Sequence, residues 1–151
     1  MKKTLLILAF IFSFFYSNAQ SFSLELDHST ILVKDLENSV KFYKNILQLK
    51  ELETPFGENA PIRFFEIGNN QQLHVAQIKN DGIKLNKVIH IAFATKNFDD
   101  YLSFLNDNDI KYSNFRGEDK KIQTRPDGVR QIYFQDPDGF WIEINDAKHK
   151  Q

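Results

Sequence analysis

The 151-residue chain contains no cysteine. That excludes a disulfide framework, a thiolate nucleophile, a thiolate metal site and a lipid anchor carried on cysteine. Any metal held here must be bound by imidazole and carboxylate. An excess of one charge is also missing. The 19 Lys and Arg against 20 Asp and Glu leave a formal charge of −1. The basic residues are scattered, apart from Lys120-Lys121 and the tail, so there is no electrostatic footprint for nucleic acid. The third absence is an apolar run long enough to cross a membrane. The longest, from Leu5 to about Tyr16, falls short of the roughly 20 apolar residues that a span needs.

That short run has a different reading. Lys2 and Lys3 precede it and Ser17-Asn18-Ala19 follow it. A charged start, an apolar stretch and small residues at the end are the pattern of a cleavable secretory signal peptide over residues 1–19. Its loss would remove two lysines and no acidic residue, moving the formal charge from −1 to −3. The expected product is a periplasmic or secreted protein with no stable membrane anchor. Residues 20–151 then form one domain, large enough for a real core.

Hydrophobic periodicity divides that domain into two similar halves. Leu24, Leu26 and Ile31–Val33 read as a first strand. Asp35 is placed to cap a helix whose stripe is Leu36, Val40, Tyr43 and Leu47. Lys50–Leu52 starts a further strand, and Pro55–Pro61 is a loop. Arg63–Ile67 and Gln72–Ile78 are two strands joined by the hairpin signature Gly68-Asn69-Asn70. After the linker Asn80–Gly82 the order recurs. It runs through a strand over Lys87–Thr95, a cap at Asn97 and a helix with Phe98, Tyr101, Leu102 and Leu105 on one stripe. Strands are then expected over Lys111–Phe115, Val129–Gln135 and Phe140–Asn145, with Arg116–Lys121 as loop. The tight turn Asp136–Gly139 suits proline, which presets φ, and glycine, which accepts positive φ. In this alignment His28 falls on His90, Asp35 on Asn97, Phe42 on Phe104, Phe65 on Phe134 and His74 on Glu143. Each half is therefore βαβββ, about 24–79 and about 87–146. Neither half alone can bury both faces of its sheet, so the two must share one core.

Strand alternation assigns the faces, because side chains on a strand point alternately to its two sides. Ile31 and Val33, Leu73 and Val75, Ile89, Ile91 and Phe93, and Ile142 and Ile144 suit packing under helices. His28, His74, His90 and Glu143 fall on the opposite faces, with Trp141 and Asn145 beside Glu143. A strand histidine has many other uses. Here, however, three of the four histidines occupy repeat-equivalent strands and one face; the fourth, His149, lies in a polar tail. Three imidazoles and a carboxylate suit a divalent first-row metal such as Zn, Ni, Mn, Co or Fe. A buried Glu143 needs a cation or hydrogen-bond partner, for which Arg63 or Arg130 is available in the sequence. Most of the other aromatic residues suit the core, whereas Trp141 could wall a pocket.

DHSTILVKDLENSVKFYKNILQLK, residues 27–50, resembles the opening of a vicinal-oxygen-chelate domain. RQIYFQDPDGFWIEI, residues 130–144, is similar to its closing signature. This is the glyoxalase, bleomycin-resistance and extradiol-dioxygenase superfamily. The resemblance implies an α+β fold of two βαβββ modules pairing into curved sheets around a metal-binding cleft. It also implies ligands at His28, His74, His90 and Glu143, and a homodimer in which modules of two chains can complete each cleft. His74 stands where glyoxalase I commonly has glutamate; His90, Glu143 and one further histidine would also make the two-His, one-carboxylate set of other members. Three functions follow from the resemblance. One is a metal-dependent lyase or isomerase acting on a small oxygen-chelating substrate, with Glu143 also moving the proton. The second is a non-catalytic small-molecule binding protein, and the third a ring-cleaving dioxygenase. Export would separate the protein from the cytosolic thiol pool, and the affinity order outside the cytosol favours Zn or Cu.

Overall fold

The computed structural model describes residues 24–79 and 85–148. The expected signal peptide, the Asn80–Gly82 linker and His149 lie outside the described residues. The elements run β1 (His28–Val33), α1 (Leu36–Asn45), β2 (Lys50–Leu52), β3 (Ile62–Glu66), β4 (Gln72–Gln77), β5 (His90–Ala94), α2 (Phe98–Asp107), β6 (Gln123–Thr124), β7 (Arg130–Gln135) and β8 (Trp141–Asn145). They form two curved, four-stranded mixed sheets of the same design, in the orders β1-β4-β3-β2 and β5-β8-β7-β6. In each sheet the first strand pairs parallel with the last and the other pairings are antiparallel. The two βαβββ modules expected from the repeat are thus present. Among the described residues no helix is long and apolar enough to cross a membrane.

The helix-side faces share one core. Ile31, Val33, Leu73 and Val75 of the first sheet and Ile132, Phe134, Ile142 and Ile144 of the second join the same buried cluster as Leu36, Val40 and Tyr43 of α1 and Phe98, Leu102 and Leu105 of α2. The modules are also tied by polar contacts. Tyr43 donates its hydroxyl to Oδ2 of buried Asp136 at 2.7 Å. Asp138 accepts from the Ser39 hydroxyl and the Lys34 amide. In the reverse direction, Tyr101 donates to the Ile46 carbonyl. Ser39 and Tyr101 are repeat-equivalent, four residues beyond Asp35 and Asn97. The Asp136–Gly139 turn, with Gly139 at φ 90° as the turn requires, therefore also grips α1.

Four local expectations are corrected. Lys111–Phe115 is not a strand. Ser113 makes only isolated bridges to Asp119 and Tyr133, and the strand that edges the second sheet is Gln123–Thr124 instead. Asp35 caps α1 by accepting from the Asn38 amide at 3.0 Å, but Asn97 makes no side-chain cap bond to α2. Instead its own amide donates to Thr95 Oγ1. Strand β5 begins at His90, so Ile89 lies before it and is 60 % exposed instead of packing under α2. Neither Arg63 nor Arg130 serves Glu143. Arg63 is held by the carbonyls of Glu58, Ala60 and Ile62 in the first module, and Arg130 grips Asp99 and Asp146.

Candidate metal and substrate site

The four sequence-derived ligands fall into two pairs, one on each sheet's open face. His90 and Glu143 form the pair on the second sheet. His90 is the first residue of β5, where its cross-strand partner is Trp141. Its Nδ1 lies 2.9 Å from the Lys87 carbonyl. A carbonyl can only accept, so this nitrogen carries a proton, which in the neutral ring leaves Nε2 its lone pair. That lone pair faces Oε2 of Glu143 at 3.3 Å. Two acceptors facing each other at this range call for a cation or a proton between them.

Glu143 is 5 % exposed, and each of its oxygens has a donor. The Tyr133 hydroxyl donates to Oε2 at 2.5 Å, and the Asn145 amide donates to Oε1 at 2.7 Å. The Gln131 amide donates to the Tyr133 hydroxyl in turn. Burial, and then the Glu143 carboxylate, push the Tyr133 phenol well above its ordinary range, so it stays a donor. Bonds of this kind orient metal-binding carboxylates and imidazoles elsewhere. Cross-strand pairing places Tyr133 directly opposite Glu143. The sequence left Tyr133 among the core aromatics, because only the β7–β8 register reveals this neighbour.

His28 and His74 form the pair on the first sheet. His28 is exposed at the start of β1, and its Nδ1 sits 2.6 Å from Asp27 Oδ2. A carboxylate on one ring nitrogen leaves the other free to ligate. His74 is different. Its ring is stacked between Phe64, with centroids 3.6 Å apart and planes at 10°, and His28, at 4.1 Å and 15°. Its Nε2 meets the Gln72 side chain. Burial, and next the proximity of His28, hold its pKa below the ordinary imidazole value. A metal lies in the plane of an imidazole that binds it, about 2.0–2.1 Å from the nitrogen. Two nearly parallel, stacked rings do not put one ion in both planes.

Among the described residues no group of three or more metal-ligating side chains comes together. The donor chemistry nonetheless fits a first-row divalent ion. His90 and Glu143 could supply two members of a three-ligand facial set, and His28, whose Nε2 has no hydrogen-bond partner among the described residues, lies on an exposed face next to a sheet edge, since β1 and β5 each end their sheets.

The second face carries more than ligands. The Lys87 ammonium lies 4.4 Å from the Trp141 ring centroid and 5.7 Å from that of Tyr133. Phe115 meets Tyr133 edge-on. Trp141 also borders a groove of about 370 Å³, but that groove is shared with Phe42, Tyr112 and Phe134, and none of His90, Glu143 and Lys87 lines it.

The family model described as Glyoxalase/Bleomycin resistance protein/Dioxygenase superfamily matches residues 25–144. An uncharacterized protein, YwbC, of Bacillus subtilis (strain 168) is 31% identical over 124 residues, covering 79% of this chain and 94% of its own. Metallothiol transferase FosB of Staphylococcus saprophyticus is 29% identical over 126 residues, covering 80% of this chain and 75% of its own. Among solved structures, Oxidase ChaP-H2 superposes with a TM-score of 0.68 at 23% identity, covering 86% of this chain and 98% of its own.

Proposed function

Because the chain belongs to the Glyoxalase/Bleomycin resistance protein/Dioxygenase superfamily, we propose that it is an exported, divalent-metal-dependent lyase or isomerase acting on a small oxygen-chelating substrate. The observation that carries this reading is the His90–Glu143 pair, with Nε2 and Oε2 3.3 Å apart, the far ring nitrogen bonded to the Lys87 carbonyl and both carboxylate oxygens given a donor. The ligand set we infer is His90 and Glu143 of one chain with His28 of the partner subunit, across a homodimer made by the open β1 and β5 edges. His74 then serves as a stacking neighbour that holds His28. Apolar side chains beside both edges support such pairing: Leu24 and Leu26 near β1, and Val88 and Ile89 near β5, are all more than half exposed.

A bound divalent ion would polarise adjacent oxygens of a substrate and stabilise negative charge on them. The chain's own part is to hold Glu143 through Tyr133 and Asn145, so that its carboxylate keeps one orientation while accepting or returning a proton. Similarity to Metallothiol transferase FosB favours a second reading, thiol transfer. With no cysteine in the chain, the thiol would have to come from a co-substrate, which an exported protein would meet less readily.

The test is elemental analysis of the purified protein beside Glu143→Ala and His28→Ala variants, with mass measured in solution. About one metal per chain on a dimer, lost in both variants, is the expected result. A protein that takes up no metal after incubation with Zn, Mn, Fe and Ni would move the reading to a ligand-binding protein.

A further inference from the structure

We propose that Lys87 is a specificity-determining residue that receives the anionic group (a carboxylate, phosphate or sulfate) of the substrate, using Trp141 as the floor beneath it. The proposal rests on the reading of the His90–Glu143 face as the substrate side. Lys87 precedes β5 in a turn, and its side chain crosses to the Ser113–Asn114 segment. Nζ donates to Ser113 Oγ at 3.2 Å and to the Asn114 carbonyl at 3.0 Å. These two bonds pin the ammonium over the Trp141 ring, and its third N–H remains for a ligand. Among the described residues no carboxylate lies within ion-pairing distance of Lys87. The nearby carboxylate, Glu143, is committed to Tyr133, Asn145 and His90.

The ammonium is set against two aromatic rings and two neutral oxygens, with no carboxylate partner among the described residues. Burial alone already lowers the Lys87 pKa. An arriving oxyanion would accept a charge-assisted hydrogen bond from the remaining N–H. Trp141 and His90 are register partners, so the anion would sit next to the residues that would hold a metal. Residue 87 thus contributes twice. Its carbonyl sets the His90 tautomer, and its ammonium would set which substrates are held. A substitution of the side chain leaves the carbonyl in place, so the two roles separate.

Trp141 is the single tryptophan of the chain, and its fluorescence reports on the cation above it. Inorganic phosphate is titrated into the purified protein at constant ionic strength, with and without added Zn. A saturable change in emission is expected for the wild type. Affinity should fall by on the order of tenfold in Lys87→Met and stay within about threefold in Lys87→Arg. If Lys87→Met does not fold, Lys87→Gln makes the same distinction, because it keeps donors toward Ser113 and Asn114 without the charge. A wild type with no saturable response, or a neutral variant that binds phosphate as well as the wild type, overturns the proposal. Metal content is measured on the same samples. Stoichiometric metal with a response indifferent to residue 87 sinks Lys87 alone. A Lys87-dependent response without metal sinks only the metal reading.

Discussion

His90 Nε2 and Glu143 Oε2 face each other at 3.3 Å from adjacent parallel strands, with the far nitrogen of the imidazole already donating to the Lys87 carbonyl. Ala92, not His90, is the register partner of Glu143. The contact is therefore diagonal, made possible because both side chains lie on the open face and lean along it.

Removing the hydroxyl that holds this carboxylate should weaken a bound metal without abolishing the site. Tyr133→Phe leaves both ligands in place but frees Glu143 Oε2 from its donor. Metal affinity should drop by about 10–100-fold, as read by competition with a chromogenic chelator. An affinity equal to that of the wild type would mean that the phenol only packs.

His74 separates a ligand from a stacking residue. Phenylalanine at this position continues the Phe64–His74–His28 stack, so His74→Phe should keep full metal content while Glu143→Ala loses it. Elemental analysis decides. Loss of metal in His74→Phe would restore His74 to the ligand set.

The same residue makes a pH prediction. The His74 pKa lies below its ordinary value of 6.5, so the fold favours the neutral ring. The associated stability is present above pH 6.5 and is lost as pH falls from there through the lower folded-state value. Urea midpoints at pH 7.5 and 5.5 should therefore diverge more in the wild type than in His74→Phe. Equal divergence would assign the acid sensitivity to another group.

The Tyr43–Asp136 bond is buried between the modules. Asp136 Oδ1 also accepts from the amides of Asp138 and Phe140. Burial raises its pKa despite these bonds, so a neutral isostere relieves a desolvation cost while keeping an acceptor. Asp136→Asn should cost under about 1 kcal/mol, whereas Asp136→Ala, which orphans three donors, should cost about 2–4 kcal/mol. Urea denaturation with an unchanged m-value checks both.

The two helix starts differ although the repeat aligns them. Asp35→Ala should cost about 1 kcal/mol, because its carboxylate bonds the Asn38 amide. Asn97→Ala should cost much less, since Asn97 makes no such bond. Equal losses would show that the cap residue acts otherwise than through this bond.

Local pattern was enough for the modules. The 3.6-residue stripes of α1 and α2 and the alternation in β4 and β8 depend on residues close in sequence. The repeat of those patterns 62 to 69 positions apart announced two like sheets, as with His28 and His90 or His74 and Glu143. Alternation also assigned His28, His74, His90 and Glu143 to open faces, and the superfamily motifs cover the strands of His28 and Glu143. Lys111–Phe115 misled because its alternation satisfies a strand, but no neighbouring strand offers it a ladder; only Ser113 finds bridge partners.

What the sequence by itself determined was composition, module order and face: no thiol of the chain's own, two βαβββ units, and imidazoles and a carboxylate pointing away from the helices. Tertiary structure decided who meets whom. Cross-strand register put Tyr133 against Glu143, and a turn before β5 laid Lys87 over Trp141. The shared helical core kept the two open faces apart, so His28 meets His74 and His90 meets Glu143. The physical reason is range. Periodicity is a property of neighbouring residues, whereas register, stacking and docking depend on contacts between segments dozens of residues apart, whose geometry is set only when both sheets bury their helix-side faces together.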